Sequence, residues 1–178
     1  MKRIGIAAAL VLLLMWTARA QADEPLTDGQ MLGVVFVANQ AEIAAGNLAL
    51  RRTRSYSLKV FANRLISEHG QVNQEIAALT QRTGAQPQRS PTSDALAKQS
   101  MDDLAALEDA GSYDFDEAYL DREVVFLQKL VNSVDGYIRS ARSADVRTLL
   151  IRSRPSFIFH LDQAHRLQLT IGSPGLRR

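Results

Sequence analysis

Within residues 58–79, LKVFANRLISEHGQVNQEIAAL, the positions Leu58, Ala62, Leu65, His69, Val72, Ile76 and Leu79 fall alternately four and three apart. Side chains so spaced share one face of an α-helix, so the stretch reads as the inward face of a long bundle helix. Gly84 stands where a left-handed C-cap would end it, which gives a helix of about Ser57 to Thr83 and, at 1.5 Å per residue, a length of about 40 Å. One position in the seam is ionisable. His69, near the middle, is either a core histidine with a hydrogen-bond partner or a ligand.

Working outward, a capping box of Thr27 and Gln30 with a hydrophobic staple of Leu26 and Met31 predicts a helix over Asp28 to Arg52. Its seam is Leu32-Phe36-Asn39-Ile43-Gly46-Leu50, with Glu42 beside Asn39. The small residues Ala41, Ala44, Ala45, Gly46 and Ala49 let a neighbouring helix approach closely. Arg51 and Arg52 read as cations facing a helix C-terminus. Downstream of Gly84, the polar run from Gln86 to Ser93 contains Pro87 and Pro91 and reads as a surface crossover. A short amphipathic helix over Asp94 to Asp109 follows and ends at Gly111-Ser112.

Asp114 is the expected N-cap of a helix from Phe115 to Ala141, whose seam Leu120-Val124-Leu127-Val131-Val134-Ile138 is apolar throughout. Val34, Val37 and Phe126 fall outside the seams. The last helix begins at Ser143 and has the seam Phe157-His160-Ala164-Leu167-Ile171; Pro155 inside it predicts a kink or a restart. Four long helices with one long connection between the second and third predict an all-α fold. The expected form is an antiparallel ferritin-like four-helix bundle with a short extra helix in the crossover, spanning residues 23–171, with a flexible tail at 172–178.

The chain opens Met1-Lys2-Arg3, runs apolar from Ile4 to Trp16 and continues with small residues at Ala18, Ala20 and Ala22. This is the pattern of a secretory signal peptide over residues 1–22, cut after Ala20 or Ala22, and the apolar run is shorter than the roughly 20 residues of a membrane span. The expected location is periplasmic or secreted, without a transmembrane segment after cleavage. Removing residues 1–22 takes Lys2, Arg3 and Arg19 from 21 basic residues and none from 19 acidic ones, so 18 stand against 19. A near-neutral chain has no nucleic-acid footprint, and the absence of cysteine leaves stability to packing.

Helices of similar length packed antiparallel bring their midpoints to one level. Asn39 and Glu42, Glu68 and His69, Glu123 and His160 all lie near such midpoints, so a polar layer is expected in the middle of the core. Glu42, His69, Glu123 and His160 give one carboxylate or imidazole per helix, a candidate set for one zinc, manganese or iron ion. The paired Glu-x-x-His motifs of ferritin-like oxidases are absent. The alternative is that both histidines are core residues bonded to Asn39, Tyr119 or a glutamate. There is no cysteine nucleophile, G-x-S-x-G, phosphate-binding glycine loop or i, i+4 histidine pair. His165 is expected to be exposed.

Three separated stretches, Tyr56 to His69 (YSLKVFANRLISEH), Tyr113 to Asp121 (YDFDEAYLD) and Phe159 to Ala164 (FHLDQA), occur in the order found in a known family. From Leu26 to Leu169 the chain resembles the ferritin-like bacterial domain of unknown function often described as a predicted outer membrane protein. The resemblance implies an exported helical domain with a glutamate in the first helix, here Glu42, and histidines in the second and fourth, here His69 and His160. A further histidine usual in the third helix is replaced by Leu127. The expectation is therefore a non-enzymatic structural, interaction or stress-related envelope protein with no cofactor beyond a weakly held divalent metal. Its alternative is a binding module holding a metal ion or small ligand in the Glu/His layer; the sequence names neither ligand nor protein partner.

Overall fold

The computed structural model describes residues 25–112 and 114–171. The expected signal segment, residues 1–22, the tail at 172–178 and Tyr113 lie outside the described residues. The described residues form five helices and no strand: α1 (Asp28–Arg52), α2 (Tyr56–Thr83), α3 (Pro91–Asp109), α4 (Phe115–Ser140) and α5 (Ala144–Ile171). The chain is all-α.

Local chemistry sets the helix ends. Thr27 and Gln30 close the predicted capping box, with Gln30 N donating to Thr27 Oγ1 at 3.2 Å and Thr27 N donating to Gln30 Oε1 at 3.0 Å. Gly84 ends α2 at φ 75°, a left-handed position that costs glycine nothing. The short helix starts at Pro91 rather than Asp94. Ser90 and Ser93 form a second capping box there, and proline is well placed in a first turn, where its missing N–H would have had no partner. Asp114 occupies the N-cap of α4 but makes no side-chain cap bond.

Pro155 does not restart α5, which runs unbroken from Ala144 to Ile171. The ring is exposed, and Ile151, whose carbonyl loses its partner, is 51 % exposed, so water can take the freed acceptor. Arg52 reaches the far end of α3 and donates to the carbonyls of Glu108 and Ala110, both at 2.5 Å. It therefore caps a neighbouring helix as well as serving its own C-terminus.

Packing divides the core into two apolar clusters. One joins the first half of α1 (Met31, Leu32, Val35, Ala38) to the last half of α2 (Val72, Ile76, Leu79), with Leu130 to Val134 of α4 and Val146 to Phe157 of α5. The other joins the last part of α1 (Ala45, Leu48, Ala49) to the first half of α2 (Leu58, Phe61, Leu65), with Phe115 to Leu127 of α4 and Ala164 of α5. Helix α1 packs on α2, α4 on α5, and α3 lies against α1 and α4. That cover changes two expectations: Val34 and Phe126, outside the predicted seams, are 4 % and 8 % exposed. Helix α1 is long and apolar enough to cross a membrane by length and composition alone, but most of it is buried against α2, α3 and α4.

Candidate functional site

Between the two apolar clusters lies a layer of polar side chains. Asn39 and Glu42 come from α1, His69 from α2, Glu123 from α4 and His160 from α5, and all five are fully buried. Asn39 and Glu42, three apart on α1, share a face. Glu68 and His69 are neighbours and diverge by about 100°, so His69 enters the core while Glu68 stays one-third exposed. Glu68 nevertheless returns to the layer and accepts a bond from His160 Nε2 at 2.9 Å.

The hydrogen bonds fix both imidazole tautomers. Asn39 Nδ2 donates to Asn73 Oδ1 at 2.9 Å, which leaves Asn39 Oδ1 to accept from His69 Nδ1 at 2.8 Å. In the neutral ring the lone pair is then on Nε2, a buried atom without a partner. His160 donates from Nε2 to Glu68, so its lone pair is on Nδ1, also buried and unpartnered. His69 stacks on Phe157 at 5.3 Å between centroids and meets His160 at 5.1 Å, tilted by 37°. Burial holds His69 well below the usual imidazole range, and His160 and Arg122 push it the same way. Burial also lowers His160, against the pull of Glu68.

On the α1–α4 side the organising group is Arg122, whose side chain is 7 % exposed. Its Nη1 donates to Glu42 Oε1 and, at 3.0 Å, to Glu123 Oε1. The guanidinium carbon lies 4.2 Å from the Phe126 ring centre. Burial and then Glu123 push the Glu42 carboxyl well above its usual range, although Arg122 opposes the shift. The Tyr119 hydroxyl is raised by burial and by Glu123 and Glu42. Arg122 Nε and Arg122 Nη2 are buried without a hydrogen-bond partner.

The four candidate ligands thus fall into two pairs, two carboxylates bridged by an arginine and two imidazoles in ring contact. Among the described residues, no group of three or more His, Cys, Asp or Glu is gathered for a metal ion. The Asn39 partner of His69 and the exposure of His165 agree with expectation. Arg122 was not anticipated. Its signal is the spacing Tyr119, Arg122, Phe126, Leu130, a second buried stripe on α4 with a charge in its middle. This stripe borders a cleft of about 470 Å³ between α1, α3 and α4, lined by Val34, Leu96, Arg122, Val125, Phe126 and Lys129 among others.

No curated protein and no solved structure matches the chain. A family model does, over residues 15–167, the stretch that contains the buried layer and the helices supplying it. The chain belongs to the family called Domain of unknown function (DUF4142).

Proposed function

We propose that this protein is an exported component of the cell envelope with a structural or interaction role, built as an antiparallel four-helix bundle of the ferritin-like kind. The pairing of the first half of α1 with the last half of α2, and the placing of α3 on the crossover, support that architecture. The amino-terminal pattern from Met1 to Ala22 supports export. One observation carries the non-catalytic reading: Glu42, His69, Tyr119, Glu123 and His160 are each fully buried, and of the layer's proton-bearing groups Glu68 alone reaches the surface, one-third exposed.

Two measurements test this. Sequencing the amino terminus of the envelope form should return Gln21 or Asp23, and a membrane species retaining residues 1–16 would count against export. Aerobic oxidation of ferrous iron should be no faster with the protein than without it. A catalysed rate lost in Glu123→Gln would overturn the non-catalytic reading.

A second reading, a module binding a metal ion or small ligand, is favoured by His69 Nε2 and His160 Nδ1. Each is an unpartnered lone pair whose opposite nitrogen is already held by Asn39 or Glu68, the way ligating histidines are commonly oriented. Elemental analysis of untagged protein and melts with and without zinc, manganese or iron decide between the two. Stoichiometric metal, or a metal-dependent rise in melting temperature abolished by His69→Ala, would favour the second.

A further inference from the structure

The carboxylates of Glu42 and Glu123 come from different helices, are fully buried, and each present Oε1 to the same nitrogen, Arg122 Nη1. Buried carboxylates converging from different helices are among the groups with which helical bundles hold divalent metals. We propose that Arg122 is a built-in cation that takes the place and the charge of a divalent metal between Glu42 and Glu123 and closes this carboxylate pair to metal.

Charge balance agrees. Two buried carboxylates are neutralised by one divalent ion, or by one guanidinium together with one proton. A guanidinium does not deprotonate in a protein, so its charge remains at any pH the fold tolerates. Arg122 is also held in place, with its side chain 7 % exposed and its guanidinium 4.2 Å from the centre of the Phe126 ring. Leu127, one turn beyond Glu123 and fully buried, adds no donor that would help a metal compete. For a metal to enter, Arg122 must leave, and its burial and its bonds to both carboxylates oppose that.

The inference goes beyond the function proposed above and does not depend on whether the imidazole pair binds anything. Its test is calorimetric titration of metal-stripped full-length protein with zinc or manganese, alongside melting curves by circular dichroism. The proteins compared are wild type, Arg122→Gln, Arg122→Gln/Glu42→Gln, and the single variants Glu42→Gln and His69→Ala. Wild type should show no metal site that Glu42→Gln removes. Arg122→Gln leaves buried carboxylates without their cation and should melt about 10 °C lower. One equivalent of zinc or manganese should restore at least half of that loss.

The double variant should lose the metal response. If Arg122→Gln is too unstable to purify, refolding that succeeds with zinc and fails without it supports the inference, and failure in both overturns it. Wild-type binding abolished by Glu42→Gln, or an Arg122→Gln response no larger than that of the double variant, also overturns it. Wild-type binding abolished by His69→Ala and untouched by Glu42→Gln belongs to the imidazole pair and leaves the carboxylate pair closed, as inferred.

Discussion

Replacing His69 with leucine should make the protein's stability less sensitive to acid. His69 is fully buried, faces His160 and Arg122, and is held well below the ordinary imidazole value of 6.5. Below pH 6.5 the unfolded chain takes up a proton at this position and the folded chain does not, so the unfolded state gains. Stability is then lost as pH falls, at about 1.4 kcal/mol per pH unit for each such histidine. Between pH 7 and pH 5 this amounts to roughly 2 kcal/mol for His69. His160 contributes in the same direction. Glu42 acts oppositely, because its raised value makes the folded state hold a proton that the unfolded state releases above 4.5. Comparing wild type with His69→Leu cancels both contributions. Urea unfolding followed by far-UV circular dichroism suits the comparison, since Trp16 is the chain's one tryptophan and lies in the expected signal segment. His69→Leu should lose about 2 kcal/mol less than wild type between pH 7 and pH 5. An equal loss in the two proteins would refute the reasoning.

Other substitutions probe the packing around the layer. A Cβ at Gly33 would lie 2.0 Å from the Gln88 carbonyl oxygen, so Gly33→Ala must push the crossover off α1 and cost about 2 kcal/mol or more in chemical denaturation. Gly70→Ala meets nothing within 4 Å in mid-helix and should instead stabilise by about 0.5–1 kcal/mol, a matched control. Asn39→Ala strips the acceptor from His69 Nδ1 and should cost about 1–3 kcal/mol, read from the denaturant midpoint. Pro155→Ala restores a helical N–H on an exposed face and should raise the melting temperature, by up to about 3 kcal/mol of stability.

The helices were legible because their signals are local. Thr27, Gln30, Gly84 and the four-three spacing around His69 act within a few residues and need no knowledge of the neighbours. The start of α3 was misread because two prolines outweighed the Ser90 and Ser93 box, although proline in a first turn removes no helical bond. The layer's level along the bundle also followed from helix midpoints, and Asn39 stood among the three kinds of partner expected for the buried histidines. The role of Arg122 did not, because it depends on α3 covering a second face of α4. A charge beside Tyr119 and ahead of Phe126 looks solvent-facing until that helix is in place.

The layer between the two apolar clusters also fixes how the helices slide past one another. Apolar seams of leucine, valine and alanine repeat every turn and would accept a slip of four residues with little loss. Moving α4 by one turn against α1 shifts Arg122 about 5.4 Å from Glu42. Alanines at Ala38 or Ala45 stand a turn either side of Glu42 along α1, and neither can accept a bond from the guanidinium. Glu123 travels with Arg122 on α4, so the slip leaves the buried Glu42 carboxyl without its partner, which costs about 1–3 kcal/mol, a noticeable share of a typical domain's stability. The ion triad thus serves as a vernier that selects one register from several apolar near-equivalents.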